Sequence, residues 1–125
     1  MNLVLDSFAW MEFFKGTTRG RKVLELLGCA DNRFYTTTGN YYEIYYRLTQ
    51  ECGKIKMEEA LAYIRHNTTL LDITEELARM AGEIRLKEGL SAIDAFTLAA
   101  ARANNAKVVT GDRDFSRFKE EIIPV

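Results

Sequence analysis

The chain has 125 residues, the size of one compact domain, and 47% of them are hydrophobic, enough for a core and too many for a disordered chain. No apolar run approaches the roughly 20 residues that span a bilayer, and the opening MNLVLD carries neither a basic leader nor a small-residue cleavage site, so a soluble cytoplasmic protein with no membrane partner is expected. The formal charge of −1 comes from 17 basic and 18 acidic residues; with four acids drawn into a metal site, 17 bases would face the remaining 14 acids and leave +3, so the balance excludes no polyanionic partner.

Short β-like runs alternate with amphipathic segments. Asn2 to Leu5 reads as a buried strand ending at Asp6, and Ser7 is the expected cap of a helix carrying Phe8, Trp10, Met11, Phe13 and Phe14. Arg21 to Leu27 reads as a second helix stopped near Gly28, and Arg33 to Thr37 as strand two. Asn40 to Cys52 is a third helix closed by Gly53, Met57 to Arg65 a fourth, and Leu70 to Ile73 strand three. Glu75 to Lys87 has the apolar stripe Leu77, Met80, Ala81 and Ile84 and ends at Gly89. Ala92 to Asn104 is a sixth, alanine-rich helix, Lys107 to Thr110 strand four, Phe115 to Lys119 a short turn of helix and Ile122 to Val125 strand five, where Pro124 suits a sheet edge. This alternation implies an α/β fold with a parallel sheet covered on both faces. Ligands of such sheets bind beyond the carboxyl ends of the strands.

Cys29 and Cys52 lack C-x-x-C spacing and read as reduced thiols. The single histidine, His66 in the polar RHNTT, excludes a multi-histidine metal site and reads as a solvated helix-end residue. Any chemistry therefore rests on carboxylates, and four attract notice. Asp6 ends strand one, Glu43 lies early in helix three, Asp94 starts helix six and Asp112 follows strand four in TGDRDF. Each has a plain local explanation: a turn or cap for Asp6, a salt bridge to Arg47 for Glu43, capping-box spacing from Ser91 for Asp94, a Gly-Asp turn for Asp112. Gathered at one sheet edge they would repel, and a divalent cation removes that conflict. Oxygen-only ligands favour Mg²⁺ or Mn²⁺, which points to phosphoester chemistry.

The order and spacing of these motifs resemble the PIN domain, most closely the VapC-type toxins of prokaryotic toxin–antitoxin systems. The likeness covers the whole chain, residues 1–125 as a single domain, and rests on VLDSFAW, Glu43, LSAIDAFTLAAARANNAKVVTGDRDF and the closing strand. It implies a three-layer α/β/α sandwich with five parallel strands in the order 3-2-1-4-5, and an Mg²⁺- or Mn²⁺-dependent endoribonuclease. Carried over by position, Asp6, Glu43, Asp94 and Asp112 form the catalytic set, with Asp6, Asp94 and Asp112 as metal ligands. Ser7, Thr110 and Asp114 match supporting positions, Asp114 as a turn cap or a residue behind the metal ligands. Relatives often carry Ser or Thr where this chain has Asn40, three residues before Glu43.

Arg47, Arg113 and Lys107 are candidates for the RNA backbone. The resemblance also implies an antitoxin protein and a homodimer. Tyr41, Tyr42, Tyr45 and Tyr46 cannot share one helix face, so some are expected outside the core, where tyrosine suits an interface. Trp10, Phe13 and Phe14 supply either core packing or an antitoxin groove. Rival readings are a PIN nuclease of RNA maturation without an antitoxin, a non-catalytic PIN-like binding module, and phosphoryl transfer through an aspartate. The last fits poorly, because only Asp6 follows strand one and Asp72 is expected inside strand three.

Overall fold

The first apolar run forms β1 (Asn2–Leu5), the middle strand of a five-stranded sheet in the computed structural model, which describes residues 1–125. With β2 (Arg33–Thr37), β3 (Thr69–Leu71), β4 (Lys107–Thr110) and β5 (Ile122–Pro124), the order is β3-β2-β1-β4-β5, and every pair is parallel. This is the expected sheet. Parallel neighbours need crossovers, supplied by α1 (Ser7–Lys15), α2 (Thr18–Leu27), α3 (Thr38–Cys52), α4 (Lys54–Asn67), α5 (Glu75–Glu88) and α6 (Ala92–Ala103). A 3-10 turn, Arg113–Phe115, follows β4.

The two-residue period of β1 divides the core between the two helical layers. Leu3 and Leu5 join Trp10, Val23, Ile44, Leu48 and Ile64 on the α1–α4 side. Val4 joins Leu77, Ile84, Leu98 and Phe115 on the α5–α6 side. Val109 and Val108 repeat the division on β4. In α6, Ala95, Ala99, Ala100 and Ala101 are all buried, so short side chains let this helix lie close against the sheet. Gly20 does the same for the α1–α2 pair: a Cβ there would overlap the Glu12 carbonyl.

Several local expectations are corrected. α2 begins at Thr18 rather than Arg21, because the Thr17 hydroxyl accepts the Gly20 amide at 3.1 Å and caps the helix one turn earlier. β3 ends at Leu71, so Asp72 lies just past this edge strand, exposed and two strands from β1. Trp10 is fully buried, and its indole N–H donates to Thr36 Oγ1 at 2.9 Å, so it is a core residue and no part of a groove. Phe13 and Phe14 pack on Tyr63 and line a cleft of about 230 Å³ between α1 and α4.

On α3, Tyr41 packs against the core while Tyr42, Tyr45 and Tyr46 are exposed, as helical spacing requires. Cys29 and Cys52 are exposed free thiols, and His66 is exposed near the end of α4. No helix is long and apolar enough to cross a membrane.

Candidate active site

The chain leaves β1 toward β2 on one side and returns to β4 on the other, which opens a crevice at the carboxyl ends of these neighbours. Asp6 lies there. Leu5 pairs with Val109, and the Asp6 amide donates to the Val109 carbonyl at 3.3 Å, so Asp6 and Thr110 come next in register. Asp6 Oδ1 accepts the Ala9 amide at 2.8 Å. Asp6, rather than Ser7, is therefore the cap of α1, and Ser7 is the first helical residue, its hydroxyl free to turn toward α3. The Thr110 hydroxyl accepts the Asp112 amide at 3.0 Å and lies beside the Asp6 carboxyl, whose charged form it favours.

Ser7 Oγ donates to Glu43 Oε1 at 2.6 Å. The expected Glu43–Arg47 ion pair does not form; the acid is turned inward by a hydroxyl instead. Behind Ser7 stands Asn40, almost fully buried, whose Nδ2 donates to Ser7 Oγ at 3.1 Å. Its Oδ1 accepts from the Thr37 hydroxyl at 2.9 Å and the Thr97 hydroxyl at 3.2 Å. Asn40 thus joins β2, α1 and α6 to the residue that holds Glu43. Sequence reasoning marked Asn40 only as a departure. The available signal was its position three residues after Thr37, the spacing of an N-cap whose hydroxyl accepts the Asn40 amide.

Asp94 occupies the first turn of α6. The capping box does not form: the Ser91 side chain caps no amide, and it lies near the Asp94 carboxylate, whose charged form it favours. Asp112 Oδ1 accepts the Asp114 amide at 2.9 Å, so Asp112 caps the 3-10 turn, a role expected of Asp114. That tight turn brings Asp114 to the same side as Asp112. Carboxylate oxygens of Asp94, Asp112 and Asp114 lie within 4.8 Å of one another. The clustered trio therefore contains Asp114, where the expected ligand set had Asp6.

Asp6 is nonetheless coupled to the cluster. Burial raises its pKa to about 7, with the charges of Asp94 and Asp112 adding to the rise and bonds from Thr110 and Ala9 opposing it. Burial and then the Asp112 charge raise Asp94 to about 6, with Glu43 and Asp114 adding to the effect and Ser91 opposing it. Five acids thus converge from β1, α3, α6 and the β4 turn, with no lysine or arginine paired to any of them. An all-oxygen donor set under mutual repulsion fits a hard divalent cation.

The basic candidates separate. Arg113 sits in the Asp112–Asp114 turn. Arg47 is half-buried on α3 and unpaired. Lys107 opens β4 and so stands at the opposite edge of the sheet from the acids. A cleft of about 380 Å³ between β3, α5 and α6 contains Asp72 and Glu76 but none of the clustered acids.

No curated protein matches the sequence. Among solved structures, the chain is similar to VapC20 of Mycobacterium tuberculosis, a Sarcin-Ricin loop cleaving toxin, at 22% identity over 98% of both chains with a TM-score of 0.81. It is similar to a chain of VapBC2 from Rickettsia felis bound to a promoter DNA fragment, at 20% identity over 100% of this chain and 98% of that one, TM-score 0.76. A toxin–antitoxin complex from Klebsiella pneumoniae matches at 18% identity over 98% of both chains, TM-score 0.77. A family model described as the PIN domain matches residues 3–121. The chain belongs to the PIN domain family.

Proposed function

We propose that this protein is an Mg²⁺- or Mn²⁺-dependent endoribonuclease and the toxin of a toxin–antitoxin pair. The observation that carries the reading is the convergence of Asp94, Asp112 and Asp114 within 4.8 Å at the sheet crevice, bordered by Asp6 and Glu43. Membership of the PIN family and the likeness to toxin chains of VapBC complexes support it.

Asp94, Asp112 and Asp6 would hold the ion, with Asp114 beside them and Glu43 facing the same space. A bound divalent ion supplies a water of lowered pKa and charge stabilisation for the phosphoryl oxygens. The chain supplies placement. Ser7 fixes Glu43 Oε1, Thr110 holds the Asp112 amide, and Thr110 and Ser91 favour the charged forms of Asp6 and Asp94. Arg113 and Arg47 are the proposed contacts to the RNA backbone.

The exposed Tyr42, Tyr45 and Tyr46 are the proposed homodimer face, and the Phe13–Phe14–Tyr63 cleft is the proposed antitoxin contact. Purified protein should cleave RNA with Mg²⁺ or Mn²⁺, stop with EDTA, and lose activity on Asp6→Asn or Asp94→Asn. Cleavage that survives both substitutions would overturn the assignment.

A further inference from the structure

Two clefts flank the Asp112–Asp114 turn, and they differ in charge. The one toward α5 encloses about 260 Å³ and holds Arg113 and Arg117 against Glu88 and Asp114. Arg117 is spent there: it pairs with Glu88 at 3.8 Å, donates to the Glu88 carbonyl and lies over the Phe118 ring. The cleft toward β5 encloses about 360 Å³ and holds Arg19, Arg113 and Lys119 against Asp112 alone. None of these three cations is in an ion pair with an acidic side chain.

Arg19 is also held in place. Its Nη1 donates to the Val125 carbonyl at 3.0 Å, and its guanidinium lies 5.6 Å from the centroid of the Phe8 ring. Gly111 makes room for this arrangement: a Cβ there would overlap Phe8 and fall 2.8 Å from Arg19 Nη1. An arginine whose position is fixed before ligand arrives loses little freedom on binding a phosphate. Thr110, Gly111 and Asp112 line the wall of this cleft, so it opens directly beside the acid cluster.

We infer that the Arg19–Lys119 cleft seats a phosphodiester of the RNA strand adjacent to the cleaved bond, so that the strand leaves the acidic centre over β5 rather than over α5. The inference rests on the nuclease reading above and adds the path of the substrate to it. Arg19 and Lys119 act as binding residues: they hold the strand and touch no reacting atom.

The test uses a labelled single-stranded RNA oligonucleotide that the wild-type protein cleaves, at fixed Mg²⁺ and varied NaCl. Arg19→Gln with Lys119→Gln should raise KM about tenfold, the order of one lost charge-assisted contact, with kcat within about twofold. The slope of log(kcat/KM) against log salt should become shallower by about one. Arg117→Gln in the other cleft should change neither. Lys119→Gln alone, at a side chain in no hydrogen bond or ion pair within the chain, should move KM and slope in the same direction and guards against misfolding of the double variant. An unchanged KM and slope in both variants overturns the inference, as would a cleft that serves only an acidic protein partner. If the wild type cleaves nothing, anisotropy of the same oligonucleotide decides separately: weaker, less salt-dependent binding by the double variant retains the cleft while the nuclease reading falls, and equal binding removes both.

Discussion

The Ser7 hydroxyl and Glu43 Oε1 meet at 2.6 Å, tying the first turn of α1 to the second turn of α3. Ser7 is buried and touches no group that a substrate must displace, so it acts through Glu43. Ser7→Ala should lower RNA cleavage on the order of 10- to 100-fold, the usual cost of losing a group that orients an active-site carboxylate. It also leaves the buried Asn40 Nδ2 without its acceptor and should cost about 1–3 kcal/mol of stability, so kinetics at saturating Mg²⁺, at a temperature where the variant stays folded, checks the loss. Full activity would detach Glu43 from the reaction.

Asn40 carries a different expectation. Replacing it with Ala leaves the Thr37 hydroxyl without an acceptor and removes one of two partners from Thr97, which keeps the Ile93 carbonyl, and from Ser7, which keeps Glu43. Denaturant unfolding should show a loss of about 2–3 kcal/mol. Asn40→Ser, which keeps one polar atom, should recover part of it.

The raised carboxyls make stability depend on pH. Asp6 and Asp94 hold protons in the fold up to about 7 and about 6, against 3.8 for the free side chain. The native state therefore binds more protons than the unfolded chain across that window. Its extra stability is complete below about pH 4 and disappears as pH climbs through 6 to 7. In EDTA the melting temperature should fall from pH 5 to pH 8, by on the order of a few kcal/mol in stability for the buried Asp6. Asp94 is more exposed and contributes less. Mg²⁺ should offset the fall at pH 8 and do little at pH 5. A flat EDTA profile would contradict the electrostatics of the cluster.

Asp94 and Asp114 should separate on metal titration. Asp94 is partly buried and feels three neighbouring acids, whereas Asp114 is exposed at the rim of the trio. Asp94→Asn should cost at least about 100-fold in cleavage at any Mn²⁺ concentration, beyond what a supporting residue costs. Asp114→Asn should mainly raise the Mn²⁺ concentration required, with activity regained in excess metal.

Gly111→Ala is a stability probe. The added methyl group would overlap Phe8 and press on Arg19 Nη1 and on the Val125 carbonyl at 2.9 Å. Overpacking of this kind costs typically 1–3 kcal/mol, to be read from thermal melts.

The sheet was legible in the sequence because its strands are short apolar runs separated by helical periodicity. Asn2 to Leu5 and Lys107 to Thr110 stand in the fold where the pattern put them. The order 3-2-1-4-5 came from family likeness, since no local pattern specifies strand neighbours. Polar detail was harder to read. Asp and Ser stand side by side at positions 6 and 7, and both cap helices well; only the tertiary partner on α3 decides that Ser7 faces Glu43. Asp114 takes a supporting place by family likeness alone; Asp112 itself caps the 3-10 turn, and that turn carries the Asp114 carboxylate to the Asp94–Asp112 pair. Trp10 reads as either core or groove by type, and its indole N–H finds Thr36 inside the core.

The bonds that Asp6 and Asp112 make to the backbone also bear on which metal suits this pocket. In each, Oδ1 already faces an amide, that of Ala9 in one and of Asp114 in the other. Asp112 is thereby left with one oxygen free of an amide, and Asp6 with one beside the Thr110 hydroxyl, so both would lend themselves to monodentate ligation. Calcium sites commonly draw on bidentate carboxylates to reach six to eight oxygens, whereas magnesium is content with a few single oxygens and retained waters. The helix and turn caps that shape the pocket would thus lower the coordination number open to an ion held there, which would favour the smaller ion over the larger.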